Sequence, residues 1–236
     1  MRGRRLERAP YRHDRVRSAR SFAVVVFASM TTRGRFIVLE GGEASGKTTQ
    51  SVRLAEALGA VRTREPGGTA LGEELRAMVL GRDRGEVTPR AELLLMAAAR
   101  AQHVCELILP SLEAGHDVVC DRFVGSTLAY QGYGRGLPLE DVLAANELAT
   151  DGVQPDLTIL LDLPAALASA RIAALPDRIE AAGAAFHERV LAGFRELAAH
   201  NPSNWVVVDA SGTADEVAVR VLGAVEGRLP TVEPER

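Results

Sequence analysis

Lysine is almost absent from this sequence. Of 28 basic side chains in 236 residues, 27 are arginine, and Lys47 is the exception. Arginine serves wherever positive charge suffices, so position 47 calls for a compact, flexible ammonium. Cysteine is scarce too. Cys105 and Cys120 cannot build a disulfide framework, and no C-x-x-C or Cys/His cluster has zinc-ligand spacing. No apolar run reaches the roughly 18 residues needed to span a bilayer, the longest being Phe22–Ala28 and Leu157–Leu163. A disulfide scaffold and a membrane-embedded protein are thereby excluded. A basic excess is also missing. The net charge is -3; residues 1–29 hold eight Arg against Glu7 and Asp14, so the remainder is strongly acidic. A broad nucleic-acid surface would not leave the folded part this acidic.

What is present is an ordinary globular composition, 47% hydrophobic and 25% charged, at a length that suits one domain. Residues 1–33 read as an Arg-rich extension, 34–229 as the domain and 230–236 as a tail. Within the extension, a basic segment precedes the apolar Ser21–Ala28 and then Ser29 and Met30. That is the outline of a signal or transit peptide, or of residues upstream of a true start at Met30. Five short apolar runs read as strands: Arg35–Glu40, Val61–Arg64, Asp117–Asp121, Leu157–Leu163 and Trp205–Asp209. Helical stretches alternate with them: Thr48–Leu58 with Val52, Leu54, Ala55 and Leu58 inward, Leu71–Leu80, Ala91–Leu109, Leu139–Ala149, Ala165–Ala173, Ala184–Ala199 and Ala214–Val225. Ala91–Leu109 is so apolar that burial is expected. Strands without alternation, separated by helices, predict an α/β domain with a parallel sheet covered on both faces.

Directly after the first strand, Gly41, Gly42, Glu43, Ala44, Ser45, Gly46, Lys47 and Thr48 fit G-x-x-x-x-G-K-[ST], with Thr49 following. Backbone N–H groups of such a turn cradle phosphate oxygens, and the helix that follows turns its positive end toward them. Lys47 would reach the β- and γ-phosphates, and the Thr48 hydroxyl is suited to Mg²⁺. The match implies nucleoside triphosphate binding without naming a reaction. Glu43 would repel a triphosphate, so it should point to another ligand or a cation. Thr63-Arg64-Glu65-Pro66-Gly67-Gly68-Thr69, Asp121-Arg122-Phe123 and Asp162 end the next three strands, where ligands of parallel sheets bind. Asp121 stands where a carboxylate holds Mg²⁺; pairing with Arg122 or Lys47 is the alternative. Glu92, Met96, Arg100 and His103 share one helix face. Arg100 is a ligand-binding candidate, with an ion pair to Glu92 or Glu106 as the structural alternative. His103 and the other histidines receive no catalytic role.

Together Phe36–Gln50 (FIVLEGGEASGKTTQ), Thr63–Thr69 (TREPGGT), Leu71–Leu80 (LGEELRAMVL), Ala91–His103 (AELLLMAAARAQH), Asp121–Gly132 (DRFVGSTLAYQG), Pro155–Pro164 (PDLTILLDLP) and Asp177–Glu180 (DRIE) resemble bacterial thymidylate kinases. The resemblance implies the fold of P-loop nucleoside monophosphate kinases, with a five-stranded parallel sheet. It implies transfer of the ATP γ-phosphate to dTMP with Mg²⁺, in a cytoplasmic homodimer needing neither nucleic acid nor membrane. Carried over by position, Arg64, Arg76 and Arg122 would surround the acceptor phosphate. Arg100 would read the thymine edge, with Thr127 and Gln131 nearby. Tyr130 would lie against the deoxyribose, and Glu43 would approach the 3′-OH. Glu65, Pro66, Met96 and Ser126 complete the expected dTMP site, while Thr48 and Asp121 would serve the metal. Lys47, Arg122 and a lid arginine, Arg171 or Arg178 from about 165–180, would be catalytic. The chain departs from the family in three places. Met96 replaces an aromatic residue, Gly125 replaces an Asp, and the lid is a few residues short. A monophosphate kinase of altered base choice, or a non-catalytic regulatory P-loop protein, is the alternative reading.

Overall fold

Five parallel strands run in the order β2-β3-β1-β4-β5 through the centre of the structure. The computed structural model describes residues 33–81, 86–171 and 177–229. The expected extension up to residue 32, the tail 230–236 and the middle of the expected lid, 172–176, lie outside the described residues. β1 (Phe36–Glu40) is the innermost strand, buried along its whole length. Its alternate residues serve opposite layers. Ile37 and Leu39 pack with Leu54 of α1 (Lys47–Leu58) and with Val217 and Val221 of α9 (Ala214–Arg228). Phe36 and Val38 pack with Val104, Ile108 and Leu112 on the other side. β2 (Val61–Arg64) and β5 (Trp205–Asp209) are the edges and stay partly exposed. Between them and β1 lie β3 (Val118–Asp121) and β4 (Leu157–Asp162).

The helices fall close to their expected positions: α2 is Ala70–Leu80, α6 Leu139–Thr150, α7 Ala165–Arg171 and α8 Ala184–His200. Three differences are informative. In α1, Gln50 and Ser51 are buried beside Leu54 and Ala55, while Val52 is only partly covered. The helix starts with the buried Lys47, and that rotation fixes the inner face. The second difference is the long apolar helix. It forms α3 (Pro89–His103), a π-turn at Val104–Ile108 and α4 (Leu109–Glu113), a rod long and apolar enough to cross a membrane. Contrary to expectation its burial is one-sided. Glu92, Arg100 and His103 face inward at 0%, 3% and 0% exposure, and Leu94 is 63% exposed. Charge goes inward where the inner face looks onto a polar cavity, beside buried Leu93, Ala99 and Val104, and Leu94 is left outside. Third, Val124–Gly134 is helical throughout, as α5 (Val124–Thr127) and a π-helical turn (Leu128–Gly134), although its three glycines gave no helical signal.

Candidate active site

The loops at the carboxyl ends of β1, β2 and β3 enclose a cavity of about 430 Å³, of the size usual for a small-molecule site. Residues 41–46 form its floor. Gly41 has φ 146°, and a Cβ there would meet the Leu161 carbonyl at 2.6 Å, so the turn requires glycine. Gly41, Gly42 and Ser45 are buried in the loop and shape it; Glu43, Ala44, Gly46, Lys47, Thr48 and Thr49 line the cavity. Lys47 Nζ donates to the Gly42 carbonyl at 2.6 Å. Burial first, then the nearby Arg122, brings its pKa down to about 8. Thr48 Oγ1 donates to Asp121 Oδ2 at 2.6 Å, joining α1 to the end of β3.

Arg122 follows with φ 73°, a left-handed conformation unusual for a side-chain-bearing residue. Its guanidinium donates to Gly41 O at 3.0 Å and to Glu43 Oε1 at 2.9 Å, and lies 5.0 Å over the Tyr130 ring. The expectation that Glu43 turns to a cation is met by this pair. Burial alone would raise the Glu43 pKa; Arg122, Lys47 and the Tyr130 hydroxyl outweigh it and hold it at about 2. Arg76 donates to Pro66 O and is pushed below its ordinary pKa by burial and by Arg64. Arg64 itself is held by Glu73 at 2.9 Å. Three cations thus converge on one side of the cavity, an arrangement that suits an anion.

Met96, Arg100, Thr127, Tyr130 and Gln131 line the same cavity, with Tyr130 against the Arg122 guanidinium. Arg100 is indeed ion-paired, though to neither expected partner. Glu65 Oε2 accepts from its Nε at 2.8 Å, Asn146 Oδ1 from Nη1 and the Phe123 carbonyl from Nη2 at 3.0 Å. His103 bridges Thr63 Oγ1 and Glu65 Oε1, so its role is to hold Glu65. Nη2 also lies 2.8 Å from Glu65 Oε2, so of five guanidinium N–H groups one, on Nη1, remains without a partner among the described residues. Glu65 and Pro66 line the wall, with the Glu65 carboxylate committed to Arg100 and His103.

The two lid arginines part company. Arg171 lines the cavity. Arg178 does not: it donates to Val79 O at 2.8 Å and to the buried Glu92 at 2.5 Å, and this pairing ties it to the protein rather than to a ligand. Asp162 also departs from expectation, turned to Arg195 at 2.9 Å and away from the cavity. Sequence reasoning missed Glu40, fully buried where β1 ends. Its carboxylate accepts from Phe123 N, Ser126 N and Ser126 Oγ at 2.9, 2.9 and 2.6 Å, capping the helix that carries Ser126, Thr127, Tyr130 and Gln131. The available signal was an acidic residue closing a wholly apolar strand. Asn146 and Arg135 were missed as well, for they lie outside every motif.

A family model described as "Thymidylate kinase" matches residues 39–221. Thymidylate kinase from a Synechococcus species is 52% identical over 204 residues, covering 84% of this chain and 98% of that protein. The one from Solidesulfovibrio magneticus is 48% identical over 208 residues, with 82% and 99% covered. Among solved structures, thymidylate kinase from Ehrlichia chaffeensis superposes with a TM-score of 0.69 at 34% identity, covering 82% of this chain and 99% of that one.

The position of Glu40 explains Gly125. A Cβ there would lie 2.8 Å from Glu40 Oε1 and 2.8 Å from the Trp205 ring. Gly125→Asp adds a second carboxylate to that filled space, and should destabilise the protein by about 3 kcal/mol. Urea unfolding of the variant measures this; stability equal to wild type would mean that Glu40 does not occupy the space.

Proposed function

This chain belongs to the thymidylate kinase family and phosphorylates dTMP with ATP, and we propose that its cavity does so by cancelling charge rather than by acid–base chemistry. The nucleophile is an already ionised phosphate oxygen of dTMP, so no general base is needed. What the reaction requires is suppression of repulsion between two polyanions and in-line placement, which fixed cations supply. The observation that carries this reading is the convergence of Lys47, Arg64, Arg76 and Arg122 on one cavity that Met96, Arg100, Thr127 and Gln131 also line.

In this reading Lys47 turns from the Gly42 carbonyl to the β- and γ-phosphates. Arg64, Arg76 and Arg122 grip the acceptor phosphate. Arg171 is the lid cation for the transferring group, a role supported by its place at the cavity and by the commitment of Arg178 to Glu92. Glu43 holds Arg122 and Tyr130 through Oε1; Oε2 has no donor among the described residues and is free to accept from the 3′-OH. Tyr130 flanks the sugar. Arg100 offers its remaining Nη1 N–H to a thymine carbonyl, beside Met96, Thr127 and Gln131.

Thr48 and Asp121 fit Mg²⁺. Both offer oxygen, their oxygens are already 2.6 Å apart, and no cluster of three or more potential acidic, His or Cys ligands exists among the described residues. That suits a metal held mainly by phosphates and water. When bound, Mg²⁺ would supply neutralisation of phosphate charge. A homodimer is supported by the outer face of α3 and the following π-turn, where Ala91, Leu94, Ala98, Ala101 and, in the turn, Cys105 form an exposed apolar stripe. A cytoplasmic location accords with two unpaired thiols and nucleotide substrates.

ADP release measured over dTMP, dUMP, dCMP, dGMP and dAMP should single out dTMP. Lys47→Ala should abolish turnover in a folded protein. Lys47 is charged below its pKa of about 8 and loses that charge as pH rises through it. The kcat/KM for ATP should therefore decline above about pH 8, while kcat at saturating ATP holds to higher pH because triphosphate favours the charged form. A flat kcat/KM profile from pH 7 to 9.5 would remove Lys47 from the triphosphate site. For the dimer, sedimentation velocity should find Leu94→Arg shifted to monomer; an unshifted dimer would place the interface elsewhere.

A further inference from the structure

Gln131 faces the base end of the cavity with an amide, and an amide has two senses. Turned one way it offers the NH₂ as donor; turned the other, the oxygen as acceptor, at almost the same volume. Glu92 makes the choice. It is fully buried, and Gln131 Nε2 donates to its Oε1 at 2.7 Å. An ionised carboxylate only accepts, so the NH₂ must face Glu92. Gln131 Oε1 then has no donor among the described residues and remains for the cavity.

The arrangement works only while Glu92 stays ionised, because a protonated carboxyl could donate and let the amide turn over. Burial opposes ionisation. Hydrogen bonds from Arg135, Gln131 and Arg178 outweigh it and keep the pKa below the usual carboxylate range. Arg135 contributes Nε and Nη2 at 3.2 and 3.1 Å, and Arg178, from the end of the lid, Nη2 at 2.5 Å.

We propose that Glu92 is a positioning residue for base selectivity: by fixing the Gln131 amide with its oxygen toward the base, it favours a pyrimidine that carries a hydrogen on N3 over one that does not. Thymine carries that hydrogen. Cytosine presents a bare N3 lone pair, so two acceptors would meet with no proton between them. An unmatched buried acceptor of this kind is worth roughly ten- to a hundredfold in discrimination. The inference rests on the dTMP kinase reading, which wild-type turnover of dTMP tests separately.

Glu92→Gln tests it, since Gln at that position both donates and accepts and leaves the Gln131 amide free to turn. The readout is kcat/KM for dTMP and for dCMP in each protein. The ratio should fall about tenfold or more, through loss on dTMP and gain on dCMP. A merely structural role would lower both substrates together and leave the ratio within about twofold of wild type, which would overturn the proposal. Glu92→Gln leaves two guanidiniums without their carboxylate. Should it not fold, Glu92→Gln/Arg178→Met removes one buried cation along with the anion, and the same ratio decides.

Discussion

A guanidinium taken out of water must be held by something negative, and most of this active site follows from that requirement. Arg122 is held by Glu43, Arg100 by Glu65, and Arg178 with Arg135 by Glu92. Such pairs add little to stability compared with apolar packing of the same volume. What they give is direction. Glu43 and Glu65 each fix part of an arginine that lines the cavity, and Glu92 holds two arginines outside it while orienting Gln131 within it. The carboxylates thereby choose the orientation of the cations and amides that meet the substrates, and Glu43 and Glu65 do so while lining the cavity themselves.

The sheet makes that arrangement possible. Parallel strands deliver the ends of β1, β2 and β3 to the same edge, so residues far apart in sequence become neighbours. Thr48 and Asp121 are 73 residues apart and share a hydrogen bond; Glu40 and Ser126 are 86 apart and share two. The inward charge on α3 belongs to the same design. A helix that backs a polar cavity must turn its polar residues inward, and the face left over is apolar.

What could be read from the sequence was whatever depends on local chemistry. The strands announce themselves as apolar runs, and the phosphate loop as glycines whose conformation few other residues adopt, so both fell within a residue or so of their positions. Partner choice was less legible. Nothing near Arg100 points to Glu65 rather than Glu92 or Glu106, because the pairing is decided by the distance between β2 and α3. Arg178 reads in sequence as a free lid cation and is committed in the fold to Glu92. The helix at Val124–Gly134 was hidden for a related reason. Its cap, Glu40, comes from another strand, and its glycines are needed where Glu40, Leu139 and Phe186 approach closely.

The solitary lysine has a practical corollary. A protease that cuts only after lysine has a single peptide bond to attack in this chain, Lys47–Thr48, at the first turn of α1. The Lys47 residue is 6% exposed and hydrogen-bonded into its loop, so the folded chain offers that bond no room in a protease cleft. Cleavage into two fragments would record exposure of this one bond, whether the phosphate loop opens locally or the whole domain unfolds. The composition of this protein thus turns an ordinary digestion into a clock for the exposure of one bond.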